Sequence, residues 1–321
     1  MRSPVQSWPS AHYQLPQFSL GSFYFMNIQM LSEQFCQYSS FIRGYSASTI
    51  GRYKKVVNLF CKFASIDQIE QVTDEAVRGY FFHGRTELKW SANSFITYHK
   101  TLVVFFRWCL EKKYLNHNPM DDIELPKLNK RLPPKLTKQD AFRLLEVVYN
   151  YPYPYRFQRF RNHAVFATFI FTGIRRKELL SLRYTDVDLQ NMSLFVQQGK
   201  GGKDRVIPIC STLAEILRKY VEERKRLKKN CPEFFASLNR DGCFTDSGLK
   251  HLVKQFNRVV GFRFGIHKLR HTFATLMLEG GCDIFSLSKM MGHSDIKTTT
   301  IYLAASAEHL RGQMGKHPLN S

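Results

Sequence analysis

SLFVQQGKGGKDRVIPI, residues 193–209, is the stretch whose reading decides the architecture. Ser193–Gln197 and Arg205–Ile209 read as two strands, joined by the turn-rich Gly199-Lys200-Gly201-Gly202-Lys203. The glycines and lysines invite comparison with a phosphate-binding loop. That loop needs its Lys followed by Ser or Thr at the start of a helix, and here a strand follows. What remains is a hairpin tip presenting Lys200 and Lys203, set in a chain otherwise patterned as helix.

Outward from the hairpin, helical segments are expected near 160–182, 212–227, 246–258, 267–279, 283–291 and 295–304. Thr137 with Asp140 three residues later resembles a capping box opening a helix over Ala141–Tyr149. Before it, between Pro119 and Pro134, Pro126, Pro133 and Pro134 cannot continue a helix. Lys127, Lys130, Arg131, Lys135 and Lys138 follow with no intervening acid, so the segment reads as an extended basic linker. It is either a solvated tether or a strap lying along phosphates. Upstream, Asn27–Asn118 is helical: after Ser48, Ile50, Tyr53, Val57, Phe60 and Phe63 share one stripe. Phe95, Leu102, Phe105, Phe106, Trp108 and Leu110 belong to another apolar helix, ending near Lys112–Lys113. Their spacing is that of a buried face, not of base-stacking platforms. The expected fold is mainly α in two domains: a bundle of four or five helices over 27–120, a linker over 121–134, and a larger helical domain with a small β-sheet or hairpin over 135–305. Residues 1–26 read as a disordered leader, untranslated if initiation occurs at Met26, and 306–321 as a tail.

Charge narrows the partner. Lys and Arg total 47 against 26 Asp and Glu, a formal net charge of +21. Such an excess favours a polyanion, because each neutralised phosphate releases condensed counterions. A membrane surface can attract the same charge, but no stretch approaches the ~20 apolar residues that span a bilayer. Nucleic acid is therefore the expected partner, and no membrane association. The seven cysteines are odd in number and scattered without a CxxC pair, which argues against a disulfide framework or zinc finger and fits a reducing cytoplasm.

Several short motifs carry chemistry. His267-Lys268-Leu269-Arg270-His271 places two histidines at i and i+4, a spacing that can hold zinc. The metalloprotease pattern has Glu after the first His, whereas Lys268 stands there and repels a metal. His267 and Arg270, three apart, can instead converge on one anion. Thr172-Gly173-Ile174-Arg175 ends an apolar helix, and Arg175 either serves an anion or pairs with a carboxylate such as Glu178. Met291-Gly292-His293 closes another helix, and Tyr302 follows in Thr300-Ile301-Tyr302-Leu303.

In order, Arg175, Lys200, His267-x-x-Arg270, Gly292-His293 and Tyr302 resemble the active-site signature of the tyrosine recombinases, the superfamily of phage integrases, Cre and Xer proteins. The local contexts TGIRRKELLSLRYTDVD, GKGGKDRVIPI, HKLRHTFAT and MGHSDIKTTTIY carry the resemblance over about residues 130–305, and more loosely over 27–120 as the family's core-binding domain. Met291 stands where the family often has Leu, and Arg176 adds a charge that can compete for phosphate or contact the backbone.

The resemblance implies a chemistry that these groups suit. Cleaving a phosphodiester loads charge onto the non-bridging oxygens, and Arg175 and Arg270 can each bind two oxygens through a planar, permanently charged fork. His293 is expected as a third donor. Tyr302 is expected as nucleophile, His267 as general base, and Lys200 as the acid that protonates the departing 5′ oxygen. The 3′-phosphotyrosyl bond retains the bond energy, so neither metal nor nucleotide cofactor is expected. By the same resemblance, double-stranded DNA sites are exchanged through a Holliday junction within a tetramer, in a nucleoid-associated cytoplasmic setting. Lys127, Lys130, Arg131, Lys203 and Arg205 are the expected DNA contacts, and 306–321 the expected contact between protomers. No separate arm-binding domain is read before residue 27, which leans toward an Xer-like or small mobile-element enzyme. A type IB topoisomerase or a non-catalytic DNA-binding relative are the alternatives.

Overall fold

A computed structural model describes residues 26–128, 133–197, 204–293 and 295–303. Residues 1–25, Lys130, Arg131, Lys200, Lys203 and the 306–321 tail lie outside the described residues. The chain divides into two compact units at residues 130/131.

Among the described residues of the first unit four helices form the bundle: α1 (Ile28–Phe41), α2 (Ala47–Ala64), α3 (Asp74–Thr86) and α4 (Ala92–Glu111). Each starts on a side-chain cap. Asn27, Ser46, Thr73 and Ser91 accept from backbone N–H groups of the first turn, groups with no partner inside the helix. The cap of α2 is thus Ser46, and Ser48 lies inside the helix. The aromatics fill the core as their spacing predicts: Tyr53, Phe60, Phe95, Phe105, Phe106 and Trp108 are buried. Phe63 departs from that expectation. It lies at the rim of the stripe, 39% exposed, tilted against His83 and Tyr80.

The second unit is built around α6 (Arg156–Thr172), whose Phe157, Val165, Phe166 and Phe169 are fully buried. Against it pack α5 (Lys138–Asn150), α8 (Ser211–Arg226) and α10 (Ile266–Glu279). Thr137 Oγ1 caps α5 by accepting from Asp140 N at 3.0 Å, so the helix begins three residues earlier than its apolar pattern suggests. The helical segment over 160–182 is two helices, divided where the apolar helix was expected to end. Gly173 takes a left-handed conformation (φ +59°) that ends α6, and α7 (Arg176–Ser181) starts after it. A side chain at 173 would also place its Cβ 2.3 Å from the Phe273 ring.

The strands form one antiparallel sheet, β1 (Val187–Asp188), β2 (Ser193–Val196) and β3 (Arg205–Pro208), in that order. Val196 pairs with Arg205 and Ser193 with Pro208, the register of the expected hairpin. The unit is completed by α9 (Asp246–Val259), α11 (Ile284–Met291) and the short α12 (Lys297–Thr300), with α11 lying against β3. The result is the expected mainly α fold with a small sheet. Among the described residues, no helix is long and apolar enough to cross a membrane.

Candidate active site

Three chain breaks build the site. The left-handed turn at Gly173 puts Arg175 at the N-terminal cap of α7, where Glu178 reaches back to accept from Arg175 N at 2.8 Å. A second left-handed residue, Gly292 (φ +64°), closes α11 and turns the chain so that His293 faces Arg270 in the second turn of α10. The third is the start of β3, whose first residue is Arg205.

Backbone carbonyls exposed by these turns fix the two candidate phosphate arginines. Arg270, 7% exposed, donates to Gly173 O and, at 2.7 Å, to Met291 O. Arg175 donates to Gly292 O at 2.6 Å and to Glu178 Oε1 at 2.7 Å. A guanidinium has five N–H donors in one plane, so each arginine keeps donors for an anion after these bonds are made. Both line a single pocket of about 220 Å³ together with Arg176, His267, Gly292, His293 and Thr298. Burial, followed by the neighbouring Arg175, pulls the Arg270 guanidinium down to about 10, which leaves it charged at neutral pH. Of the expected residues, the pocket therefore gathers Arg175, His267, Arg270 and His293.

His293 is held at both ring nitrogens. Nε2 lies 3.0 Å from Arg270 Nη2 and Nδ1 lies 2.8 Å from Thr299 Oγ1. A guanidinium has no lone pair to offer, so Nε2 accepts and the ring proton sits on Nδ1, donated to Thr299. In this arrangement His293 lends its lone pair to Arg270. It becomes a donor to phosphate only when Nε2 carries a proton.

Tyr302 is not part of the pocket lining. Its side chain is 2% exposed, packed with Phe273, Leu287 and Met291, and its hydroxyl lies 2.9 Å from His271 Nδ1. Burial raises the phenol above its ordinary value near 10, and Arg270 opposes that rise. The expected nucleophile thus sits one helical turn from His267 along α10, on the other histidine of the HKLRH motif.

Glu178 ties the site together. It is 7% exposed, and its carboxylate accepts from Arg175 on one side and from Arg205 on the other, at 3.0 and 2.7 Å. Burial would raise its pKa, but the Arg205 and Arg175 hydrogen bonds outweigh burial and hold it down at about 2. Arg205 also donates through Nε to Met290 O at 2.8 Å. The structure turns Arg205 inward, its side chain 8% exposed, in place of the expected outward DNA contact. Strand alternation is the physical reason. Arg205 shares a face with buried Ile207, while Val206 between them is 57% exposed. Arg176 likewise has a protein partner, Asp246 Oδ1 at 2.7 Å, and Lys250 shares that carboxylate. Lys127 lies in the first unit and is exposed. Among the described residues, no group of three or more His, Cys, Asp or Glu is placed to hold a metal ion.

Comparison with known proteins bears on this arrangement. Residues 134–309 match the phage integrase family, and residues 31–115 match the phage integrase N-terminal SAM-like domain. The tyrosine recombinase XerC of Thermodesulfovibrio yellowstonii is 30% identical over 302 residues, covering 92% of this chain and 98% of that protein. The tyrosine recombinase XerD of Listeria monocytogenes serotype 4b is 34% identical over 285 residues, covering 85% and 93%. Among solved structures, the Tn1549 transposon integrase in complex with a circular intermediate DNA superposes with a TM-score of 0.71 at 18% identity, covering 91% of this chain and 99% of that one.

Proposed function

Because the chain belongs to the phage integrase family of tyrosine recombinases, we propose that it recombines specific double-stranded DNA sites through a covalent bond between DNA and Tyr302. The observation that carries this reading is the pocket in which Arg175, Arg270, His267 and His293 converge, with the Tyr302 hydroxyl one helical turn along α10.

A phosphodiester seated in the pocket meets two guanidinium planes already oriented by Gly173 O, Met291 O and Gly292 O. Charge that grows on the non-bridging oxygens is stabilised there without reorganising the protein. Removing one such preorganised donor costs about 10²–10³ in rate. Tyr302 attacks phosphorus, the 5′ oxygen leaves with a proton from Lys200, and a 3′-phosphotyrosyl ester results. A 5′ hydroxyl from the partner strand reverses the step on a new end. Repeating the exchange on the second pair of strands resolves a Holliday junction, in a tetramer holding two sites. In the cell the protein works in the cytoplasm on the nucleoid. The surplus of cationic side chains contacts phosphates.

The test is covalent capture on a nicked suicide substrate, from which the cleaved strand diffuses away. Tyr302→Phe is expected to bind DNA with unchanged affinity and to form no adduct. An adduct from that variant would assign the nucleophile elsewhere.

A further inference from the structure

The HKLRH motif contains two histidines, and they have different surroundings. His267 is exposed and lines the pocket beside Arg175 and Arg270. His271, one turn further along α10, is half-buried and has its Nδ1 2.9 Å from the Tyr302 hydroxyl. The two rings also meet at a tilt, centroids 5.6 Å apart. We propose that His271 is a further catalytic residue of this enzyme, the group that receives the Tyr302 proton as the phenol attacks phosphorus, leaving His267 on the phosphate side of the site.

A proton acceptor must lie within hydrogen-bond reach of the proton it takes, and His271 meets that condition in the DNA-free protein. It must also be neutral beforehand. Burial, then His267 and Arg270 on the same helix, keep His271 below the ordinary histidine value. The imidazole at neutral pH therefore has a lone pair for the phenol. A phenol near or above 10 does not hand its proton to such a ring in the ground state, so transfer proceeds together with bond formation to phosphorus. In that step the Tyr302 O–H bond breaks and its proton goes to His271 Nδ1. The phenolic oxygen bonds to phosphorus, the bond from phosphorus to the 5′ oxygen breaks, and that oxygen takes a proton from Lys200. When the 5′ hydroxyl of the partner strand attacks phosphorus, its proton goes to Lys200, the bond from phosphorus to the phenolic oxygen breaks, and His271 returns its proton to Tyr302.

This inference rests on Tyr302 as nucleophile, so Tyr302→Phe is run beside it, and an adduct from that control sinks the underlying reading and not this one alone. The measurement is single-turnover adduct formation on the nicked substrate, with DNA affinity measured separately. His271→Ala is expected to bind DNA normally and to form adduct about 10²–10⁴-fold more slowly, with part of the rate restored by added imidazole. His271→Asn places an amide oxygen near the position of Nδ1 and keeps a hydrogen-bond acceptor that cannot hold a proton. It is expected to fold and bind like the parent and to stay slow. A third arm uses a substrate with sulfur in place of the bridging 5′ oxygen, whose thiolate leaves without an acid. That substrate is expected to rescue Lys200→Ala and not His271→Ala. The proposal is overturned if His271→Ala cleaves at the parental rate or faster, which would make the contact a mere shelter for Tyr302. It is equally overturned if His271→Asn cleaves at the parental rate, leaving only a positioning role, or if the sulfur substrate restores His271→Ala, which would move His271 to the leaving-group side.

Discussion

Replacing Arg205 by Met removes one arm of the clamp on Glu178 while keeping most of the side-chain volume. The Glu178 carboxylate, with a side chain 6% exposed, then keeps Arg175 as its charged partner and loses two bonds of 3.0 and 2.7 Å. Its pKa in the folded protein is about 2 against an ordinary value of 4.5. At 1.36 kcal/mol per unit, that difference is worth about 3 kcal/mol of folding stability. Breaking a buried ion pair from one side costs about 3–5 kcal/mol, because the remaining charge stays buried. For a domain of this size that is roughly 6–20 °C in Tm. Glu178 has a depressed pKa, so its contribution is fully present above about pH 4.5 and is lost as pH falls toward about 2. In Arg205→Met the carboxyl picks up its proton at higher pH, which relieves the unpaired charge. The stability gap between parent and variant should therefore be widest near neutral pH and close as pH falls below about 4.5. Urea unfolding at pH 7 and at pH 3, followed by far-ultraviolet circular dichroism, measures that gap. The double variant Arg205→Met with Glu178→Gln should recover a large part of the loss at pH 7. An unchanged Tm, or a gap of equal size at both pH values, would refute the clamp as the source of the stability.

Two further outcomes follow from geometry and charge. Gly173→Ala forces a left-handed residue and a Cβ 2.3 Å from the Phe273 ring, at the carbonyl that anchors Arg270. The backbone term alone is about 1–2 kcal/mol, or roughly 2–8 °C in Tm by calorimetry, and adduct formation should fall with it. With a net charge of +21, DNA affinity should fall by about 10³–10⁵ between 50 and 200 mM salt if six to ten phosphates are contacted, read as a linear log–log slope in an anisotropy titration. A shallow slope would mean that most of the surplus charge points away from DNA.

Much of the site is visible in the sequence because its parts sit on strong local signals. Gly173 and Gly292 are helix stops, the hairpin strands stand out from a helical pattern, and Arg270 follows His267 by one turn. What is not visible is which way a side chain faces when two long-range partners compete for it. Arg205 is basic, five residues beyond Lys200 in the sequence, and from composition it belongs with the DNA contacts. Its inward direction follows from sharing a strand face with Ile207, a period-two pattern that was available to be read. The carboxylate it meets lies 27 residues earlier, and no local pattern pairs them. Glu178 as partner of Arg175 was open to reading from the three-residue spacing, but only the turn at Gly173 makes it a back-reaching cap rather than a surface pair. The zinc spacing of His267 and His271 is real as helix geometry. In the fold the two rings serve different neighbours.

The two halves of the site are held by different forces, and this separates the effects of substitution. The arginines are locked by backbone carbonyls and by a buried carboxylate, so the groups that receive phosphate are also groups on which the fold depends. Tyr302 is held by apolar packing and by one hydrogen bond to His271, which is worth about 1 kcal/mol net. Losses on the clamp side should therefore appear together in stability and in cleavage. Losses at Tyr302 and His271 should appear in cleavage with little change in Tm. That partition follows from preorganisation. Donors aimed at developing charge gain their value by not moving, whereas the Tyr302 phenol, 2% exposed, has to turn toward phosphorus within reach of His271.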